Sequence, residues 1–255
     1  MGLLDVSNLT KRFGGLTAVN DLTFGVEEGE FLGLIGPNGA GKSTIFNLIT
    51  SYLTPTRGIV LFKNKKITRL STHKIAAVGV VRTFQHNNLF LDMSIYENVM
   101  ISQHLLGAAG SFGFFLNSAK ARRDEKQFHE TAMELLGFTG LMPFKDELAK
   151  NLSHGHQRIL GMAVALAVKP KLLLLDEPFT GMHPKETETA MEMVSAMRKR
   201  GLTIILVEHN MKAVMGICER IVVINFGKKI AEGTPEKIRQ NHAVIEAYLG
   251  KEELV

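Results

Sequence analysis

The sequence feature that most restricts the fold is an eight-residue segment between a short apolar run and a helical pattern. It matches the pattern Gly-x-x-x-x-Gly-Lys-Ser/Thr. Its residues are Gly36, Pro37, Asn38, Gly39, Ala40, Gly41, Lys42 and Ser43, and Thr44 continues into the helical pattern. Glycines at these positions let backbone N–H groups turn inward around an anion, and the start of the following helix adds positive potential. The segment therefore predicts a phosphate-binding loop between a buried strand and a helix.

Two residues of this loop carry specific chemistry. In loops of this pattern the lysine, here Lys42, reaches the β- and γ-phosphates of a nucleotide, and the following hydroxyl, here Ser43, is a natural Mg²⁺ ligand. Average amino-acid usage gives roughly one accidental match per hundred chains of this length. The alternative interpretation is a glycine-rich turn with an incidental lysine, and the flanking strand and helix patterns argue against it.

Other short apolar runs also end at polar residues. Phe31–Ile35 precedes the loop, Leu172–Leu175 precedes Asp176, and Thr203–Val207 precedes Glu208. Four or five consecutive apolar residues are typical of strands covered on both faces, as in a parallel sheet. Because ligands bind at the carboxyl ends of such strands, we expect these polar ends to lie together in an α/β fold.

Asp176 and Glu177 follow the most apolar of these runs and precede Pro178. We predict different roles for the two carboxylates: Asp176 holds Mg²⁺, usually through water, and Glu177 polarises the water that attacks the γ-phosphate. A strand that ends in Asp-Glu is by itself more often a simple loop start. Combined with the phosphate loop, it becomes a candidate catalytic site.

The rest of the chain predicts a β layer and a helical insertion. Alternating apolar and polar residues favour antiparallel strands outside the parallel sheet. The segments concerned are Leu3–Leu9, Leu22–Val26 and Gly58–Phe62, with a further pair over Arg220–Asn225 and Lys228–Ala231. From about Gln85 to Asn151 the pattern is helical, clearest over Ala119–Leu136, and Gly107–Gly113 is the expected loop.

Composition indicates a folded protein and limits its partners. Hydrophobic residues make up 45% of the chain and charged residues 22%, with a net charge of +5. The positive charges form only short clusters, so we expect no nucleic-acid-binding arm. The single cysteine, Cys218, excludes an intrachain disulfide. We expect no signal peptide and no spanning helix, because the longest apolar stretches, Leu105–Leu116 and Leu160–Val168, fall short of the roughly 18 residues required.

A second motif precedes the acidic strand. It reads Leu152-Ser153-His154-Gly155-His156-Gln157-Arg158. Taken alone it is a capped core helix, since Ser153 is a favourable N-cap and apolar residues follow at helical spacing. Together with the phosphate loop and the acidic strand, it resembles the signature sequence of ABC-type ATPases. In that family the serine and glycine, here Ser153 and Gly155, bind the γ-phosphate of a nucleotide held by the other subunit, so a complete site needs two copies.

The resemblance covers nearly the whole chain and assigns three more residues. Gln85 is similar to the Q-loop glutamine, which senses the γ-phosphate and Mg²⁺ and links to the membrane partner. His209 is similar to the switch histidine, which contacts the γ-phosphate, and Phe13 resembles the aromatic residue that stacks on adenine. Each of these residues alone would be ordinary, and their order and spacing carry the resemblance. It implies ATP and Mg²⁺ as cofactors.

The resemblance also implies the architecture. We expect an α/β P-loop NTPase fold of the ABC ATPase type, with a RecA-like core, an antiparallel β layer and an inserted helical subdomain. A single ABC ATPase domain would cover residues 1–255. Its nucleotide-binding core and β layer would comprise 1–85 and 166–235, the helical subdomain with the signature 86–165, and a C-terminal helical tail 236–255.

Within the family, the chain is most similar to the ATP-binding subunits of bacterial and archaeal branched-chain amino acid importers, and importers of urea or other amides use similar subunits. The segments that carry this likeness are 36–44, 105–124, 176–184 and 244–250. It implies an ATP hydrolase coupled to transport, peripheral on the cytoplasmic face of the plasma (inner) membrane. The implied partners are integral-membrane permease subunits, a second ATP-binding subunit, identical or different, and indirectly a solute-binding protein. No nucleic acid is expected as a partner.

Some positions depart from the family pattern. His154 and His156 stand where Gly and Gln are usual, Val164 where Arg is usual, and the segment Thr180–His183 lacks a final Asp, as it does in the amino acid importers. Three interpretations of the two histidines are open. They are neutral changes on an exposed turn, they form a pH-sensitive element that alters dimer closure, or they slow hydrolysis. The alternative functions are a non-transport ABC ATPase acting on DNA, the ribosome or another soluble partner, and a nucleotide switch without turnover.

Overall fold

The computed structural model describes residues 2–83, 89–103 and 119–249. Its strands are β1 (Leu4–Phe13), β2 (Leu16–Val26), β3 (Phe31–Ile35), β4 (Arg57–Phe62), β5 (Lys65–Lys66), β6 (Val80–Arg82), β7 (Leu172–Asp176), β8 (Thr203–Val207), β9 (Arg220–Asn225) and β10 (Lys228–Gly233). Its α-helices are α1 (Lys42–Ile49), α2 (Thr72–Val78), α3 (Ile95–Ser102), α4 (Ala119–Phe138), α5 (His154–Ala167), α6 (Pro184–Lys199), α7 (Met211–Ile217), α8 (Pro235–Arg239) and α9 (His242–Leu249).

The chain divides into two compact units. The first unit comprises Met1–Arg82, Lys171–Glu177 and Val194–Val255, and it contains every strand named above. The second unit comprises Thr83–Pro170 and Pro178–Met193, and it contains helices α3, α4 and α5 with the first part of α6.

The central sheet of the first unit has six strands in the order β10-β9-β3-β8-β7-β6. All neighbouring pairs are parallel except β9 with β10, which form an antiparallel pair at one edge. Every residue of β3, β7 and β8 is buried, as expected for strands covered on both faces. The predicted bounds of Phe31–Ile35 and Thr203–Val207 are confirmed, and the third apolar run extends by one residue to Asp176.

The second sheet of this unit is antiparallel, in the order β2-β1-β4-β5. The predicted β layer is therefore confirmed for its first three segments, although β1 continues beyond the predicted Leu9 to Phe13 and β2 begins at Leu16, before the predicted Leu22. The predicted pair Arg220–Asn225 and Lys228–Ala231 does not belong to this layer, because β9 pairs in parallel with β3 and so brings β10 into the central sheet. The strands pack closely at Gly58, where a Cβ atom would lie 2.4 Å from the carbonyl oxygen of Asn8 and where φ is +89°. Only glycine fits this position without strain.

The second unit is helical. Ser94 begins α3 with a capping box, in which its side chain accepts the N–H of Glu97 and the Glu97 side chain accepts the N–H of Ser94. Ser153 caps α5 as predicted, accepting the N–H of His156. The predicted helix Ala119–Leu136 is confirmed as α4 and runs two residues further, to Phe138. The expected loop Gly107–Gly113 lies outside the described residues.

Among the helices that the structure describes, none is both long enough and apolar enough to span a lipid bilayer.

The fully buried strand β7 should be sensitive to loss of volume. Replacing Leu174 by Ala removes a fully buried side chain of the parallel sheet, on the strand between β6 and β8. We expect the free energy of unfolding of the first unit to fall by roughly 2–5 kcal/mol. The exposed Leu16 is the matched control, because Leu16→Ala leaves no cavity and should change stability by less than about 0.5 kcal/mol. Equal losses in urea denaturation of the two variants would contradict the assigned core.

Candidate functional site

The phosphate loop is pressed against two backbone segments of the first unit. A Cβ atom at Gly36 would lie 2.0 Å from the carbonyl oxygen of Ile224, and one at Gly41 would lie 2.5 Å from that of Ala18. Gly41 has a φ of +106° and is the N-cap of α1. Because no side chain fits at either position, the pattern of glycines fixes the path of the loop and aims the start of α1 at its interior.

Lys42 is buried, and its ammonium group lies inside the loop. Its Nζ donates hydrogen bonds to the carbonyl oxygens of Gly36, at 2.7 Å, and Pro37, at 3.0 Å. A Cβ atom at Gly39, where φ is +79°, would meet nothing within 4 Å, so the tip of the loop is open. The loop thus combines a buried cation, a helix N-terminus and an open face, which together fit a phosphate group.

The carboxyl ends of β7 and β8 bring Glu177 and His209 together. Asp176 is paired with Val207 across these strands, and the backbone N–H of Glu177 donates to the carbonyl oxygen of Val207 at 2.8 Å. The Oε1 atom of Glu177 then lies 2.8 Å from Nε2 of His209. Glu177 also has a φ of +48°, an unusual value for a residue other than glycine, which points to a geometry fixed by its surroundings.

Glu208 orients the residue that follows it. Its side chain is buried and accepts the backbone N–H groups of His209, at 2.9 Å, and Asn210, at 3.1 Å. Asn210 is in turn the N-cap of α7. The apolar run before Glu208 pointed to this position from the sequence, and the structure adds that its carboxylate holds the backbone on which His209 is mounted.

Asp176 has a partner that sequence reasoning missed. Its side chain is only 2% exposed, and its Oδ2 accepts a hydrogen bond of 2.6 Å from Nη2 of Arg82, which is nearly as buried. The other end of the guanidinium donates to Oδ1 of Asn47 in α1 at 2.5 Å, and its carbon lies 5.5 Å from the ring centre of Phe46. Arg82 therefore joins the ends of β6 and β7 to the helix that follows the phosphate loop.

Two predicted site residues remain, Phe13 and Gln85, and the structure describes only Phe13. Phe13 ends β1 with 45% of its surface exposed, and Nζ of Lys11 lies 5.0 Å from its ring centre. An exposed ring at a strand end is available to stack on a planar ligand, whereas a core aromatic is not. Gln85 lies outside the described residues.

Ser153 and Gly155 lie in the second unit, where the turn before α5 meets the start of α6. The Ser153 hydroxyl accepts the backbone N–H of His156 at 3.2 Å and lies 3.0 Å from Nδ1 of that histidine. It also donates to Oε1 of Glu186 at 3.3 Å. The His156 ring packs against Phe144, with 5.4 Å between ring centres, while His154 is exposed. The Glu186 contact was also not predicted from the sequence.

The donor set of the first unit suits Mg²⁺. The groups assigned to the metal are the hydroxyl of Ser43, at the start of α1, and the carboxylate of Asp176, at the end of β7. Both are hard oxygen ligands, which Mg²⁺ prefers when it bridges protein and phosphate oxygens. The residues present therefore fit this ion.

Comparison with known proteins establishes the family. A family model described as "ABC transporter" matches residues 19–180, and one described as "Branched-chain amino acid ATP-binding cassette transporter" matches residues 228–253. The chain belongs to the ABC transporter family of ATP-binding cassettes. The resemblance seen in the phosphate loop, the acidic strand and the signature is thereby confirmed at the level of the family.

Named relatives and solved structures extend the comparison over nearly the whole chain. The chain is 43% identical over 250 residues, 98% of each protein, to the "high-affinity branched-chain amino acid transport ATP-binding protein" LivG of Salmonella typhimurium, and equally to BraF of Pseudomonas aeruginosa. A crystal structure of a nucleotide-free ATP-binding cassette from an ABC transporter superposes with a TM-score of 0.85 at 30% identity, over 97% of this chain and 99% of that one. A cassette in its ADP conformation gives 0.84 at 29% identity, over 98% and 99%. The expected P-loop NTPase fold is confirmed.

The buried Arg82–Asp176 pair should be strongly coupled. Replacing Arg82 by Met leaves the Asp176 carboxylate buried without this cation, and we expect the free energy of unfolding to fall by about 3–5 kcal/mol. Adding Asp176→Asn should recover part of that loss. The loss of unfolding free energy in the double variant should therefore be smaller than the sum of the two single-variant losses by about 1–3 kcal/mol.

A matched control for this cycle is the exposed Lys63–Glu28 pair in the same unit, with its atoms 3.4 Å apart. The cycle of Lys63→Met and Glu28→Gln should give a coupling below about 1 kcal/mol. If urea denaturation gave the same coupling energy for both cycles, Arg82 would not hold Asp176.

Proposed function

We propose that this chain is the ATP-hydrolysing subunit of a membrane importer, for branched-chain amino acids or a related small polar solute. The observation that carries the hydrolytic part is the Glu177–His209 pair at the same sheet edge as the phosphate loop. The substrate class is supported by the names of the relatives LivG and BraF, at 43% identity over 98% of the chain, and by the branched-chain amino acid cassette model over residues 228–253.

ATP would bind along the edge where β3, β7 and β8 end. The loop from Gly36 to Thr44 surrounds the phosphates with backbone N–H groups, and Lys42 supplies the cation for the β- and γ-phosphates. Phe13 stacks on adenine. Ser43, Asp176 and, from the family resemblance, Gln85 would hold Mg²⁺, which would neutralise charge on the phosphate oxygens.

Glu177 is the proposed base, and its hydrogen bond to His209 controls whether both carboxylate oxygens are accessible to water. In the structure, Nε2 of His209 lies 2.8 Å from Oε1 of Glu177, so one oxygen of the carboxylate is occupied. The γ-phosphate is a second negatively charged acceptor that competes for His209, and the histidine turns from the carboxylate to the phosphate. Glu177 is then available to accept a proton from the attacking water. The backbone bonds that Glu208 makes keep the histidine in place during this exchange.

A second ATP-binding subunit, identical or different, completes each site. Its Ser153 and Gly155 contact the γ-phosphate held by the first subunit, and two sites form when the subunits close head to tail. Ser153 is suited to this contact because it caps α5, so the helix N-terminus lies directly behind its hydroxyl. Hydrolysis removes the γ-phosphate and reopens the dimer, and this cycle drives the permease subunits.

The permease would dock on the helical unit, next to the segment that contains Gln85. Phe90 and Leu91 are exposed there by 52% and 45%. The buried Asn98 of α3 fixes their turn, because its Oδ1 accepts the N–H of Phe90 at 2.8 Å and its Nδ2 donates to the Phe90 carbonyl at 3.0 Å. Two exposed apolar side chains on a rigid turn suit an apolar partner surface. The apolar stretch Leu105–Phe115, a further candidate for this surface, lies outside the described residues. With this docking, the chain would lie at the cytoplasmic face of the inner membrane, as a peripheral subunit.

Glu177→Gln should separate ATP binding from hydrolysis. The amide keeps the size of the side chain but cannot accept a proton, so we expect turnover to fall by roughly 10²- to 10⁴-fold while ATP binding is retained. Sedimentation should show a dimer trapped by Mg·ATP and a monomer with ADP. The exposed Glu28→Gln serves as control and should hydrolyse ATP normally. Hydrolysis by Glu177→Gln at the wild-type rate would exclude Glu177 as the base.

The docking surface predicts a transport defect without an ATPase defect. In cells that carry the complete importer, the double variant Phe90→Ser/Leu91→Ser should reduce uptake of radiolabelled leucine by roughly tenfold or more, as expected for loss of a central apolar contact. ATP hydrolysis by the isolated chain should stay within about twofold of wild type. Tyr52→Ser, at an exposed residue of the other unit, is the control. Normal leucine uptake by the double variant would rule out this docking surface.

A further inference from the structure

The carboxylate of Glu186 contacts the start of two helices of the second unit at once. Its Oε2 accepts the backbone N–H of His183 at 2.9 Å, which closes the first turn of α6. Its Oε1 accepts the hydroxyl of Ser153, the N-cap of α5, at 3.3 Å. The two residues are 33 positions apart in the chain, so this contact belongs to the tertiary structure and not to a local turn.

The fit of this carboxylate depends on Gly155. A Cβ atom on Gly155 would lie 2.7 Å from Oε2 of Glu186 and 2.8 Å from its Cδ. Any larger residue at position 155 would have to displace the carboxylate from the turn. The glycine that resembles the family's phosphate-binding glycine thus also makes room for Glu186 in this chain.

Glu186 carries its negative charge at neutral pH. The backbone N–H of His183 is the main group that lowers the pKa of this carboxyl. Burial opposes the shift, and the Ser153 hydroxyl and the nearby His183 and His156 lower the pKa further. An ionised carboxylate within hydrogen-bond distance of Ser153 has an electrostatic consequence: it repels any further anion that approaches the same hydroxyl.

The Ser153 hydroxyl has one proton to donate. Its oxygen already accepts the backbone N–H of His156 at 3.2 Å, and the same oxygen lies 3.0 Å from the ring atom Nδ1 of that histidine. While the proton is directed to Glu186, the hydroxyl cannot donate it to a phosphate oxygen. Binding of a γ-phosphate at Ser153 therefore requires the Glu186 contact to break.

We propose that Glu186 is a positioning residue that holds the Ser153 hydroxyl before dimerisation and is displaced when the γ-phosphate on a second copy of this chain arrives. This inference rests on the proposed function, in which Ser153 completes the site of another subunit. Glu186 consequently raises the amount of Mg·ATP and of protein that the chain needs to form the closed dimer, and the contact re-forms when the dimer opens.

The test compares dimers trapped by the slow variant Glu177→Gln. The dissociation constant of the dimer is measured by analytical ultracentrifugation at saturating Mg·ATP for Glu177→Gln alone, with Glu186→Gln, and with Glu188→Gln. Glutamine at the third helical position can still accept the N–H of His183, so the cap of α6 is kept while the charge is lost. Glu188 is an exposed carboxylate on the same helix and serves as the matched control.

We expect Glu186→Gln to tighten the dimer about five- to tenfold, because the head-to-tail dimer contains two such sites and loss of one repulsive charge at a partly exposed site changes binding by about two- to threefold. Glu188→Gln should leave the dissociation constant unchanged within about twofold. Glu186→Asp is a second variant: it keeps the charge but shortens the side chain, so it should release the Ser153 hydroxyl while leaving a negative charge nearby, and it should tighten the dimer less than Glu186→Gln does.

The outcomes separate the two proposals. If Glu177→Gln itself forms no dimer with Mg·ATP, the head-to-tail function is wrong and this inference falls with it. If the parent dimerises but Glu186→Gln and Glu186→Asp bind no more tightly than Glu188→Gln, the proposed function stands and Glu186 is only a helix cap. A lower melting temperature without a tighter dimer would likewise reduce Glu186 to that structural role.

Discussion

The close contact between the phosphate loop and the neighbouring backbone is the constraint on which the rest of the site depends. With Gly36 against the carbonyl of Ile224 and Gly41 against that of Ala18, the loop has one path, and α1 has one direction. Because β3, β8 and β7 are parallel neighbours in the same sheet, the residues that follow them emerge at the same edge as this loop. The phosphate loop, the acidic pair and the histidine therefore lie close together because the strands that precede them end at the same edge of one sheet.

The polar groups assigned to nucleotide already have protein partners. Lys42 binds loop carbonyls, Glu177 binds His209, and Ser153 binds Glu186. Burial explains part of this pattern, since a buried charge without a partner is costly. On this view ATP binding exchanges one set of hydrogen bonds for another, and the phosphates take over partners that the protein supplies to itself. The free energy of that exchange, and not the contacts alone, sets how readily the cassette closes.

The parts of the fold and site that were predictable are those determined by neighbouring residues. The bounds of β3 and β8 followed from the sequence because every residue of those strands is buried, and the phosphate loop followed from glycine spacing within eight residues. The end of β1 was underestimated because Asn8 has a φ of +49° and the register with β2 shifts there, which interrupts the alternation. Arg82 and Glu186 were missed because their partners lie 94 and 33 positions away. The sequence did contain a signal for each residue. Arg82 is a charged residue at the end of a short apolar strand, and Glu186 is a glutamate at the third position of a helix.

The central claim is that the γ-phosphate is held by two chains and takes over the partners named above. The most direct measurement is a crystal structure of the Glu177→Gln variant with Mg²⁺ and ATP. The result expected is a head-to-tail dimer in which Lys42 and His209 of one chain and Ser153 of the other lie within hydrogen-bond distance of the γ-phosphate, with Glu186 no longer bound to Ser153. A structure in which the γ-phosphate of bound ATP contacts no second subunit, and in which Ser153 remains hydrogen-bonded to Glu186, would contradict the claim.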